Sequence, residues 1–351
     1  MVLTVFTPFP DQWDQFVRSH PRGHVLQLSA WANLKRAFGW RTETIALVED
    51  GQIRGGAQLL FRRLPAQLGT MAYIPMGGLI DAQLDDRGRA ALQDDLWRAI
   101  DKCARKNGAT FLKYEPSIVL DHTAPTLTAL GFKPSPQTVQ PPNTITIDLT
   151  GDDDAILARM NQGTRRKIRQ SQKNGVRFYE AARTDVEKFN SIVQVTGARN
   201  EFGVHDPAYY QKAYDLFVPR DAALMLAAHE DDPLAGVFVF ALGDWAWYLY
   251  GGSSNVKRNL MASYGVQWAA IQWAKARGCK YYDMWGIPDE EETALEAQFE
   301  TRDDGLWGVY GFKRGWGGRV VRSVGAWDRV YNPLIYSAYK LAVKIRASAF
   351  G

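Results

Sequence analysis

The chain has 351 residues, of which 46% are hydrophobic and 23% charged, enough for two domains with real cores and too balanced for a disordered, collagen-like or coiled-coil protein. Net charge is only +4, but it is unevenly spread: residues 155–179 hold seven basic residues and no acid, and from residue 308 onward eight basic residues face Asp328 alone. Two such blocks on an otherwise acidic body point to a polyanion or a phosphorylated substrate handled at defined places.

The first eight residues lack a basic segment followed by a long apolar one, and no run of about 18 apolar residues occurs, so a soluble, cytoplasmic chain is expected. Two cysteines, Cys103 and Cys279, are too few for a disulfide framework, and no Cys/His cluster has zinc spacing. Neither metal nor cofactor is expected. Trp31 and Lys35 share a helix. Residues 44–61 read as a hairpin, with an acidic-Gly turn between two apolar runs. A helix through Leu96, Trp97 and Ile100 then ends at Asn107-Gly108, and an aromatic strand leads to Tyr114. Four prolines in residues 131–143 exclude regular helix and suit a crossover. Residues 144–149 alternate as a strand, Asp152 to Asp154 supply an N-cap, and 155–173 have helical spacing as one element up to Asn174-Gly175. A second hairpin spans 224–240, followed by a helix through Trp268 and Ile271, Gly278, and a strand to Trp285. Both helices contain W-x-A-I and both stop at a glycine suited to a left-handed cap. Hairpin, helix, glycine and strand thus occur twice in the same order, which predicts duplicated α/β units. Residues 333–350 form a short basic amphipathic pattern, expected either to pack on its own domain or to rest on an anionic membrane surface.

Six segments in register resemble the Fem family of aminoacyl-tRNA-dependent peptidyltransferases, which build peptidoglycan cross-bridges. They are Ser29 to Lys35 with Gly39-Trp40, Gln140-Pro-Pro-Asn143 running into 144–149, and Thr164-Arg-Arg-Lys-Ile-Arg169. The others are Tyr248-Leu-Tyr-Gly-Gly-Ser-Ser254, Asp283-Met-Trp-Gly-Ile-Pro288 and Gly308 to Gly318. The resemblance implies an α/β fold of two tandem GNAT-like (acyl-transferase) domains with mixed central sheets flanked by helices. Residues 1–142 would form the first domain, with the C-terminal segment returning to it, residues 143–330 the second, and 331–351 a basic helix. The long helical arm of some members is missing. It further implies transfer of Gly, Ala or Ser from aminoacyl-tRNA to the side-chain amine of a precursor pentapeptide, nucleotide-linked (UDP-MurNAc-pentapeptide) or lipid-linked, by a monomer that touches the inner membrane face at most peripherally.

Ester aminolysis needs an oxyanion stabiliser and a proton acceptor. Lys313, read at the start of a basic strand, matches the family lysine tied to the transfer step. Glu115 is the first choice as proton acceptor or ammonium anchor, with Asp283, water and the substrate itself as alternatives. Lys35 matches the family's phosphate-contacting lysine, and Phe38 and Phe312 stand beside the two lysines. Tyr114, Tyr209 and Tyr250 match tyrosines of the substrate groove, and His205 replaces the family's arginine, weakening diphosphate binding at neutral pH. Arg165, Arg166, Lys167 and Arg169 would position the tRNA through its phosphates. The alternative is a GNAT-type N-acyltransferase using acyl-CoA on a cell-envelope or polysaccharide precursor. Neither repeat has the glycine-rich pyrophosphate turn before its helix.

Overall fold

Each of the two hairpins belongs to a sheet of its own, one strand in from its edge. The computed structural model describes residues 4–66, 68–117, 124–200 and 203–350. The chain forms two compact units, Met1–Pro142 with Arg322–Gly351, and Asn143–Val321.

In the first unit, β1 (Thr4–Phe6), α1 (Pro10–Ser19) and α2 (Ser29–Ala37) precede the hairpin β2 (Arg41–Glu49) and β3 (Gln52–Arg63). Asp50 and Gly51 both take positive φ, the geometry of a tight hairpin turn. β4 (Thr70–Pro75) and β5 (Leu79–Ile80) each pair with β3, and α3 (Asp86–Lys106) carries the chain over to β6 (Ala109–Glu115), parallel to β4. α3 buries Leu92, Leu96, Ile100 and Cys103, a stripe at helical spacing. α4 (Ala124–Ala129) and β7 (Lys133–Pro134) complete the first pass.

The second unit opens with β8 (Asn143–Asp148), α5 (Asp153–Arg159), α6 (Gln162–Lys173) and β9 (Arg177–Glu180). The single helix expected over 155–173 is therefore two. Met160 is extended, and the Asn161 side chain accepts from the Thr164 amide at 2.7 Å, starting a new helix. α7 (Val186–Asn200), α8 (Pro207–Phe217), the hairpin β10 (Ala222–His229) and β11 (Asp232–Leu242), and β12 (Trp245–Ser253) follow. Then come α9 (Ala262–Ala276), β13 (Tyr281–Ile287), α10 (Glu292–Gln298), α11 (Trp307–Lys313) and β14 (Arg319–Arg322). Among the described residues the longest helices of this unit are α7 and α9, at 15 residues each.

The chain then returns to the first unit as β15 (Trp327–Val330), antiparallel to β6, and α12 (Pro333–Phe350). The stretch after β14 up to residue 330, expected in the second domain, thus falls in the first unit. Asp328, fully buried, pairs with buried Lys113 at 3.1 Å and accepts from the Tyr336 hydroxyl at 2.9 Å, fastening both β15 and α12. Breaking such a pair from one side leaves an uncompensated buried charge.

The sheet orders are β1-β2-β3-β4-β6-β15-β7 and β14-β8-β13-β12-β11-β10-β9. The run β1-β2-β3-β4-β6 repeats as β9-β10-β11-β12-β13, with α3 and α9 as equivalent crossovers. One difference matters. β4 and β6 stay paired in parallel from Thr70 with Ala109 to Pro75 with Glu115, with one shift after Thr70, whereas β12 and β13 pair only at Trp245 to Trp247 with Tyr281 to Asp283.

Candidate active site

Two irregularities lie where β12 and β13 part. Phe238 and Val239 of β11 face Tyr250 and Tyr248 of β12, so Leu249 is an extra residue, a bulge. The pairing of β13 with β8 also shifts between Asp283 and Gly286, where Trp285 takes φ of 61°, a conformation costly for a bulky side chain. Strained, unpaired backbone thus aims carbonyls away from the sheet ladder.

Lys313 takes those carbonyls. It is not on a strand: it closes α11, and the glycine-rich run after it is a 3-10 turn, Arg314–Trp316, followed by Gly317 at φ of 73°. A Cβ at Gly317 would collide with the Arg159 carbonyl, so only glycine lets the turn approach α5. The Lys313 Nζ donates to Gly286 O at 2.6 Å and Trp285 O at 3.3 Å, and lies 5.7 Å from the Tyr248 ring centroid. The residue is 7% exposed. Burial pulls its pKa down to about 7, a drop that the negative charge of Asp283 partly opposes.

Asp283 is buried beside it. Its Oδ1 accepts from the Thr144 hydroxyl and from the Trp285 amide at 2.6 Å, while Oδ2 has no bond among the described residues. Desolvation raises its pKa to about 6, against those two bonds and the charge of Lys313. A carboxyl and an ammonium that change charge near neutrality, buried together, are equipped for proton transfer and oxyanion stabilisation.

The bulge at Leu249 sends Tyr248 and Tyr250 to opposite faces of the sheet. Tyr248 joins the Lys313 side, its ring against Gly251, where any Cβ would collide with it. Tyr250 goes to the α7–α8 side, with its hydroxyl 3.1 Å from that of Tyr209, and His205 stacks on Tyr209 at 3.8 Å between centroids. His205, Tyr209 and Tyr250 are thus brought together, joined by Tyr210, whose ring lies 5.5 Å from Tyr250. Phe312, half-buried, packs edge-on against Tyr264 and Trp316. Sequence reasoning missed Tyr210, Tyr248, Thr144 and the Trp285 carbonyl. The doubled Gly-Gly after Tyr250 was the available signal for Tyr248.

In the first unit Lys35 is half-buried, its Nζ 4.5 Å from the Trp31 ring centroid. Burial, aided by the nearby Arg62 charge, lowers its pKa to about 8. Phe38 caps the same helix. Tyr114 does not share their face: it is buried with Trp97 and Phe132 under α3 and walls a cavity of about 510 Å³ with Arg22, Arg89 and Trp97. Glu115 is held on both carboxylate oxygens, while burial raises its pKa. Its oxygens accept from the Tyr73 hydroxyl and from the amides of Val139 at 2.5 Å and Gln140 at 3.1 Å. It pins the proline-rich crossover, and Asp283 takes its place as the candidate proton acceptor.

Of the four cations expected to hold tRNA, Arg165 turns inward, its Nη1 donating to Met160 O at 2.5 Å and so closing the end of α5. Lys167 donates to the Tyr264 hydroxyl at 3.0 Å. Arg166 and Arg169 face solvent. In the basic tail, the Arg346 side chain lies outside the described residues. Among those described, no group of three His, Cys, Asp or Glu side chains could hold a metal ion.

The FemAB family model matches residues 10–231 and 227–344. The lipid II:glycine glycyltransferase of Staphylococcus haemolyticus (strain JCSC1435) is 27% identical over an alignment of 398 residues, covering 92% of each chain. That of Staphylococcus aureus (strain USA300) is 26% identical, again covering 92% of each. A crystal structure of FemX superimposes with a TM-score of 0.82 at 23% identity, over 96% of this chain and 100% of that one. A tandem GNAT protein from the clavulanic acid biosynthesis pathway gives 0.52 at 14% identity, over 93% and 98%. These two likenesses show the fold: mixed α/β, built as tandem GNAT units.

Proposed function

The chain belongs to the FemAB family and is an aminoacyltransferase, and from that premise we propose that it moves glycine, alanine or serine from aminoacyl-tRNA to the side-chain amine of a peptidoglycan precursor pentapeptide. The acceptor class comes from the lipid II:glycine glycyltransferases it resembles over 92% of its length. One observation carries the chemistry: the buried Lys313 and Asp283 where β12 and β13 part.

An aminoacyl ester is already activated, so the site must position, stabilise charge and move one proton. The acceptor amine attacks the ester carbonyl, a C–N bond forms, and the carbonyl electron pair moves onto oxygen. The Lys313 ammonium meets that oxyanion. Asp283 Oδ2 takes the proton that the amine sheds, the C–O bond to the ribose breaks, and Asp283 returns that proton to the departing ribose oxygen. Lys35 binds a precursor phosphate, whose charge would raise its lowered pKa again. The cluster of His205, Tyr209 and Tyr250 offers aromatic and hydroxyl contacts to the precursor. Arg166 and Arg169 hold tRNA phosphates, which orients the acceptor end without reading bases. The protein acts as a monomer at the cytoplasmic face, on a nucleotide- or lipid-linked precursor.

The test is direct. Purified protein is given charged tRNA and nucleotide-linked muramyl pentapeptide, and the product is read by mass spectrometry. A mass gain of one amino-acid residue, abolished by ribonuclease pre-treatment, supports the proposal. Acylation from acetyl-CoA with none from any charged tRNA overturns it.

A further inference from the structure

α12 has two apolar faces, and one of them packs on β6. Tyr336 and Tyr339 are 5% and 7% exposed and pack on Phe111 of β6, with ring centroids 5.2 and 4.7 Å away. Half-buried Val343 extends this inner face. At 100° per residue, Leu334, Ala338, Leu341 and Ile345 fall on the opposite side of the helix, at positions i, i+4, i+7 and i+11. All four are exposed, and the three large ones are 85%, 60% and 59% exposed. A helix that only packed on its own domain would carry polar residues there.

Charge identifies what covers this stripe. No acidic residue follows Asp328 in the sequence. Lys340 and Lys344, both exposed and one helical turn apart, line one edge of the stripe and share with Leu341, Val343 and Pro136 a cavity of about 530 Å³. Apolar side chains that would enter an acyl layer, next to ammonium groups at headgroup height, make an interfacial helix. Among the described residues no helix is long and apolar enough to cross a membrane, so the helix would lie on the surface. We propose that the outer face of α12 is a membrane-docking surface that binds an anionic phospholipid bilayer, with Leu334, Leu341 and Ile345 inserted and Lys340 and Lys344 on the lipid phosphates.

The experiment is co-sedimentation of the full chain with vesicles of phosphatidylglycerol and phosphatidylcholine at varied ratio and salt. The vesicles carry no muropeptide, so their result is independent of the transfer assay, and failure of either leaves the other standing. Binding should be at least tenfold stronger on vesicles rich in phosphatidylglycerol than on pure phosphatidylcholine. Leu341→Asp with Ile345→Asp should cost tenfold or more, and each of Lys340→Gln and Lys344→Gln about fivefold at low salt. These side chains are exposed, so the thermal midpoint should not move. Equal binding by wild type and variants, equal binding to both lipids, or no binding overturns the proposal. So does a wild-type dimer that the Asp variants dissociate, since the stripe would then be covered by a second copy.

Discussion

Replacing Lys313 with methionine keeps the aliphatic stem and removes only the ammonium. Because that group is to meet an oxyanion that exists only in the transition state, its loss should lower the transfer rate at saturating charged tRNA by about 10²-fold or more. Precursor affinity, measured by calorimetry, should stay within a few-fold. Stability should move the other way. The native pKa of about 7, against 10.5 for an ordinary lysine, means that holding the buried ammonium costs about 3–5 kcal/mol at low pH. For a pKa depressed on folding, stability is present in full above about 10.5 and is lost as pH falls to about 7. Lys313→Met should therefore melt higher than wild type at pH 6, with the gap narrowing toward pH 10. Single-turnover kinetics with thermal melts at several pH values read both effects. Normal turnover of Lys313→Met at saturation would refute the catalytic role, and an unchanged melting difference across pH would refute the buried-cation picture.

The pair should also shape the pH–rate profile. In wild type, kcat/KM should fall below about pH 6 as Asp283 is protonated and again above about pH 7 as Lys313 loses its proton; Asp283→Asn should lack the acidic limb, and a retained limb would point to another acceptor. Lys35→Met should raise the KM for precursor roughly tenfold while sparing kcat, because a phosphate contact is the same in ground and transition states; a lower kcat at unchanged KM would contradict that. Arg166→Gln with Arg169→Gln should weaken tRNA binding and flatten its salt dependence with no change in melting, whereas Arg165→Gln should lower the melting temperature by uncapping α5. Equal losses of tRNA and precursor binding in the double variant would place α6 at the precursor groove.

Local pattern was sufficient to read the duplicated hairpin, helix, glycine and strand, because alternation, helical spacing and left-handed glycines are short-range signals. The six motif segments likewise sufficed to single out Lys313 and Asp283 as candidates for the chemistry. Three things needed the tertiary structure. Glu115 ends β6 and Asp283 is the last residue of β13 to pair with β12, and the sequence reads both as carboxylates at strand ends; only packing shows Glu115 bound by two amides and a tyrosine hydroxyl, and Asp283 left with an open oxygen. Tyr248 and Tyr250 alternate as neighbours on one face, but a single bulged residue, Leu249, sends them to opposite sides, and a bulge depends on the partner strand rather than on the strand's own residues. Finally, 322–330 read as a continuation of the second unit. Asp328 and Lys113 lie far apart in the chain and can only be joined, and β15 returned to the first sheet, once the fold has buried them both.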